Sequence, residues 1–153
     1  MEFSRKTLPE QHYIYVDREC DYGPGIADAM GSAFGEVFGF VGQHGITPLS
    51  MPMSVYMTMD PTKLRFRGGV IVSADEAAKA SGNIKSDTLA AGDAMTTTHV
   101  GPYTDMNKTH RALWDHMEAE GIPLAMPIWE IYVDDPGQTP EAEVRTDIFR
   151  TIG

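Results

Sequence analysis

Two decapeptides in this chain share one frame. Pro52-Met-Ser-Val-Tyr-Met-Thr-Met-Asp60-Pro61 and Pro127-Ile-Trp-Glu-Ile-Tyr-Val-Asp-Asp135-Pro136 have both flanking prolines displaced by 75 residues. Upstream of each copy lies a Gly-Pro pair, Gly23-Pro24 and Gly101-Pro102, offset by 78, and Gly45-Ile46 matches Gly121-Ile122 at 76. A chain written twice is constrained to fold as two matched halves, and the small drift in offset places the differences in loops.

Each half reads as strand, Gly-Pro turn, helix, Gly stop, strand, Asp-Pro turn, strand, which makes a βαββ unit. The halves span about 11–73 and 93–153 of one domain covering 1–153. In the first half, Tyr13 to Val16 is aromatic and β-branched, and Ile26, Met30, Phe34, Val37, Phe38 and Val41 recur at helical spacing. In the second, Ala94 to Val100 is a Thr-rich strand, and Tyr103, Met106, His110, Leu113, Trp114 and Met117 form one helical stripe. That stripe stops at Gly121, which suits a left-handed cap. Leu64 to Val72 and Val144 to Thr151 read as the closing strands. The Ala-, Gly- and Ser-rich segment 74–92 reads as a linker with a short helix around Asp75 to Ala80. Gly31, Gly35 and Gly39, spaced four apart in the first helix, suggest close approach of another backbone or a wall cleared for a ligand.

Composition narrows the function. The net charge of −10 opposes attraction to phosphate backbones, and there is no room before Tyr13 for a helix-turn-helix, so no direct nucleic-acid partner is expected. An acidic surface suits cationic small molecules or a basic protein. No run approaches the roughly 18 apolar residues of a membrane span, and the opening lacks the apolar stretch of a signal peptide, so a cytoplasmic protein without a membrane partner is expected. Cys20, the one cysteine, offers no disulfide and no thiolate cluster, and neither metal nor cofactor is expected.

Within the second decapeptide, Glu130 is the one carboxylate in an apolar, aromatic strand. A buried carboxylate without a partner costs several kcal/mol or is neutralised, so Glu130 marks a place where a cationic or protonated group comes to meet it. Strand alternation puts Met51, Met53, Val55, Met57 and Met59 on one face and Ser54, Tyr56 and Thr58 on the other. Carried across the 75-residue offset, Val55 maps to Glu130, so Ile128, Glu130 and Tyr132 join the methionine face, opposite Trp129, Ile131 and Val133. The methionine row is either an adaptable ligand wall or ordinary sheet core; alternation sets the shared face, not what covers it. Tyr103 either overhangs the pocket or staples the helix entrance. Tyr56 reads as packing, His99 and His110 as proton carriers or structural residues, and Arg145 as an ion-pair partner for Glu130.

The run His99-Val-Gly-Pro-Tyr103, a helix, Gly121, Pro127-x-Trp-Glu-Ile-Tyr-Val-x-Asp-Pro136 and Glu141-x-x-Val-Arg-Thr-Asp-Ile148 resembles the GyrI-like small-molecule-binding domain, which includes effector-binding domains of bacterial multidrug-sensing transcription regulators. The resemblance is most specific over Thr98 to Thr151; the first half fits by layout. It implies an α+β fold of duplicated βαββ units about a pseudo-twofold axis, with two main helices on one side of an antiparallel sheet and a ligand groove. It also implies a central glutamate, here Glu130, between aromatic walls that include Trp129 and Tyr132.

The expected function is stand-alone binding of lipophilic, aromatic or cationic molecules by Glu130, Tyr132, Trp129, Tyr103, Met53, Val55 and Met57. The alternative is hydrolysis of reactive electrophiles in the same pocket, as the resemblance implies for some members. Glu130, with a pKa raised by apolar surroundings, would then act as general acid or orient water, with Tyr132 or Tyr103 assisting. A third class is a gyrase-inhibitor-like protein interaction, resting on family resemblance and charge alone.

Overall fold

The computed structural model describes residues 1–153. Strands β1 (Ser4–Leu8), β2 (Gln11–Cys20), β3 (Met53–Tyr56), β4 (Leu64–Val72), β5 (Lys85–Leu89), β6 (Gly92–Val100), β7 (Leu124–Tyr132) and β8 (Arg145–Ile152) form one sheet. Every pairing is antiparallel, in the order β1-β6-β8-β7-β3-β4-β2-β5. The helices are α1 (Gly25–His44), the single turn α2 (Ala74–Ala77) and α3 (Met106–Ala119). The two units are β2-α1-β3-β4 and β6-α3-β7-β8, and they meet where β3 pairs with β7. No helix is long and apolar enough to cross a membrane.

Helix α1 packs on β2 and β4, and α3 packs on β6, which leaves the central strands β7 and β3 between them. Under α1 lie Ile14, Val16, Phe66, Val70 and Val72 with Ala33, Val37 and Val41; under α3 lie Met95 and Ile148 with Leu113 and Met117. The opposite sheet face has its own core of Tyr13, Tyr15, Met53, Val55, Ile71, Leu89 and Trp129. Both long helices end as their glycines predict: Gly45 and Gly121 have φ of +61° and +67°, which residues with a Cβ rarely adopt.

Two edge strands were absent from the sequence reading. β1 and β5 are almost wholly exposed and read Ser-Arg-Lys-Thr-Leu and Lys-Ser-Asp-Thr-Leu, so neither has an apolar alternation to betray it. β5 occupies part of the segment read as linker. The strand expected across Met51 to Met59 shrinks to Met53–Tyr56, and Met51, Met57 and Met59 are exposed outside it.

The glycine stripe of α1 also needs correction. Gly31, Gly35 and Gly39 are exposed, and a Cβ added at any of them meets nothing within 4 Å. The helix instead approaches the sheet through Ala33, whose Cβ would lie 2.6 Å from a Cβ added at Gly68. Gly35→Ala should therefore stabilise the protein by about 0.5–1 kcal/mol, because alanine lowers the entropy of the unfolded chain at no steric cost. Urea unfolding measures it, and a loss of stability would mean that something does pack on that face.

Candidate functional site

Pairing of β3 with β7 places Ser54 directly opposite Glu130 and Tyr56 opposite Ile128. Directly opposed residues share a face, so Ser54, Tyr56, Ile128, Glu130 and Tyr132 all look toward the helices. Tyr56, one diagonal step from Glu130, reaches it: its hydroxyl donates to Oε1 at 3.0 Å. Tyr132, two residues along the same strand, donates to the same oxygen at 2.7 Å. Its proton being spent there, the 3.0 Å contact between Tyr132 and Ser54 leaves the serine hydroxyl as donor. From above, His110 of α3 brings Nε2 to 2.5 Å from Oε2.

Both helices contribute to the surroundings. From α1, Phe34 packs edge-on against the Tyr132 ring at 5.8 Å, and Met30 Sδ lies 3.5 Å from the Tyr132 hydroxyl. From the turn before α3, Tyr103 meets the same ring edge-on at 5.6 Å. Glu130 is 4% exposed, whereas Tyr103 is 41% exposed, so the tyrosine, with half-buried His110, is the cluster's solvent-facing side.

Burial works to raise the Glu130 pKa, but the hydrogen bond and charge of His110 and the Tyr132 and Tyr56 hydroxyls together hold it below the ordinary glutamate value. Burial, with the Glu130 charge beside it, pushes both phenols well above the ordinary tyrosine value. Tyr103 is also raised, by burial first and then by Asp134, Asp135 and Glu130. The expected rise of the Glu130 pKa is thus overturned, because partners outweigh desolvation. Glu130 is held at both carboxylate oxygens, Oε1 by the two phenols and Oε2 by His110.

A carboxylate whose folded-state pKa is depressed stabilises the fold above its unfolded value, about 4.3, and the contribution disappears as pH falls through the folded value. The stability difference between wild type and Glu130→Gln should accordingly be largest near neutrality and shrink below about pH 4. Urea titrations at several pH values measure this, and a gap that grows with acidity would contradict it.

The structure divides the residues singled out in the sequence. It brings Glu130, Tyr132 and Tyr103 together and places Trp129, Met53 and Val55 in the core of the opposite face. Trp129 stacks on Phe149 at 5.2 Å and lines a cavity of about 170 Å³ with Leu8, Leu89 and Ile152. Val55 and exposed Met57 border a hollow of about 500 Å³ with Asp17, Arg65 and Arg67. Glu130 lines neither. The odd 75-residue offset caused the error, since a one-residue shift exchanges the faces of a strand. The even offset of 76, seen at Gly45 and Gly121, would have matched Ser54 to Glu130 and Tyr56 to Tyr132.

Residues missed at the site are Ser54, Tyr56, Met30, Phe34 and, as the direct partner of Glu130, His110. Arg145 pairs with Asp134 at 2.9 Å rather than with Glu130. His99 is structural in its contacts: its ring nitrogens bond Thr109 at 2.6 Å and the Pro102 carbonyl at 2.9 Å, tying the Gly-Pro turn to α3.

Compared with models of known families, residues 1–152 match that of the GyrI-like small molecule binding domain. No curated protein sequence matches the chain. Among solved structures, the C-terminal domain of EcmrR is similar with a TM-score of 0.76 at 19% identity, covering 99% of this chain and 97% of that one. SAV2435, solved bound to tetraphenylphosphonium, gives 0.68 at 13% identity over 100% and 94% of the two chains. A hydrolase from Listeria innocua gives 0.66 at 18% identity over 99% and 92%. At these identities the likeness is one of fold.

Proposed function

Because the chain belongs to the GyrI-like small-molecule-binding family, we propose that it binds lipophilic, aromatic or cationic small molecules at the Glu130 cluster, to sense or sequester them. The observation that carries this reading is a nearly inaccessible carboxylate, hydrogen-bonded by two phenols and flanked by the rings of Tyr132, Tyr103 and Tyr56. A carboxylate offsets the charge of a lipophilic cation in a site poor in water, and each ring face adds roughly 0.5–2 kcal/mol. Met30 supplies the polarizable, adaptable contact that the β3 methionines had been expected to give. The tetraphenylphosphonium bound by SAV2435 is a lipophilic cation and supports the reading at the level of fold.

Titration with a fluorescent rhodamine-type cation, beside an uncharged aromatic of similar size, tests it. Saturable binding that prefers the cation supports the proposal; absence of binding by the wild-type protein sinks it.

His110 already holds one oxygen of Glu130, so its proton and a bound cation compete for the same carboxylate. His110→Gln keeps a donor and removes the charge. It should strengthen cation binding about fivefold, about 1 kcal/mol for one partly screened charge, and leave an uncharged aromatic of similar size within twofold. An equal gain for both ligands would exclude charge competition.

The contact between His110 and Glu130 also favours a second reading, hydrolysis of an electrophilic small molecule. Water would pass its proton to the carboxylate–imidazole pair as it attacks, and a phenol would hydrogen-bond the leaving atom. In that case Glu130→Gln removes turnover while a neutral ligand still binds.

A further inference from the structure

All seven arginines but one have a carboxylate partner: Arg5, Arg18, Arg65, Arg67, Arg111 and Arg145 each form an ion pair. The exception is Arg150, the least exposed of them at 6%. Its Nε is buried without any hydrogen-bond partner, and its guanidinium lies 4.6 Å from the centroid of the Trp114 ring. In a chain of 22 acidic residues, the best-buried cation has none of them. A guanidinium is charged at any ordinary pH, so a buried one without an anion retains its full demand for one.

Its position gives that demand a meaning. Arg150 pairs with Ile128 across β7 and β8, while Glu130 pairs with Ile148. Arg150 and Glu130 therefore share the helix-side face as diagonal neighbours on adjacent strands, roughly 7–8 Å apart. On α3, Trp114 follows His110 by one helical turn, so consecutive turns of one helix place His110 on Glu130 and Trp114 on Arg150. The Trp114 Nε1 donates to exposed Glu118 at 2.5 Å, which holds the indole edge and leaves its face to the guanidinium.

We propose that Arg150 and Trp114 form an anion subsite beside the Glu130 cluster, so that the favoured ligands are aromatic molecules carrying a carboxylate or sulfonate one short spacer from the part that meets Glu130. This deepens the proposed function and, for a ligand that spans both points, rests on it. The fork of guanidinium donors receives the anionic group, and the indole, with one face on the guanidinium, offers its exposed remainder to the ligand's ring plane.

The test compares a cationic rhodamine ester with its free acid, which adds one carboxylate to the same xanthene. The wild-type protein should bind the free acid at least fivefold more tightly. Arg150→Gln should erase that preference while leaving ester affinity within twofold, and Arg150→Lys should retain part of it. Equal weakening of both dyes, or no preference in the wild type, would overturn the proposal. If neither dye binds, the Glu130 reading fails, and the subsite is judged separately with 2-naphthalenesulfonate. In a Trp129→Phe background Trp114 is the sole tryptophan, and its emission should be quenched saturably by the sulfonate. Quenching that disappears in Arg150→Gln and persists in Arg150→Lys supports the subsite; its absence in the parent overturns it. Should Arg150→Gln not fold, the sulfonate titration of the parent, with Arg150→Lys, decides alone.

Discussion

Glu130→Gln should weaken binding of a rhodamine-type cation by about thirtyfold or more, roughly 2 kcal/mol, while an uncharged aromatic of the same size stays within about threefold. The substitution changes charge at nearly constant shape. The glutamine carbonyl still accepts from Tyr132 and Tyr56, which share Oε1 in the wild type, and its amide replaces the oxygen that faces His110. The aromatic walls stay in place, so the loss isolates what the negative charge contributes. Equal losses for the two ligands would make Glu130 a structural residue whose hydroxyl network shapes the site. Unchanged cation binding would remove the central carboxylate from the proposal altogether.

How far such a site can be read from sequence depends on what carries each signal. The βαββ order, both long helices and the strands Leu64–Val72 and Arg145–Ile152 follow from apolar periodicity and from glycines at the helix ends, which local chemistry determines. β1 and β5 leave no such trace: they join the sheet through backbone hydrogen bonds and are exposed, so their side chains are free to be polar. At the site, Glu130 stands out because a carboxylate in an apolar strand is rare, and Tyr132 follows by alternation. Tyr56 and Ser54 required the β3–β7 register, which the 75-residue frame of the prolines misstates by one. His110 had been placed on the correct helical stripe, but its contact with Glu130 depends on how α3 lies over the sheet, a property of packing between segments distant in sequence. The family itself was legible from the second half of the chain.

Trp129→Ala should cost about 3–5 kcal/mol of stability and leave cation affinity of the folded protein within twofold. Trp129 is 5% exposed, its ring lies parallel to Phe149 at 5.2 Å, and it already borders a cavity of about 170 Å³, so truncation enlarges an existing void that the surrounding strands hold open. It is adjacent in sequence to Glu130, yet alternation turns it to the opposite side of the sheet, where no atom of the Glu130 cluster lies within its core. Chemical unfolding gives the first quantity, and dye titration at a temperature where far-ultraviolet circular dichroism shows the variant folded gives the second. Trp129→Leu, a smaller truncation, serves if the alanine variant is unfolded throughout. A stable variant that has lost cation binding would place the ligand on the Trp129 face and make the 75-residue frame, rather than the observed register, the guide to the pocket. An unstable variant that binds normally would assign that face to the core and leave ligand recognition to the helix side.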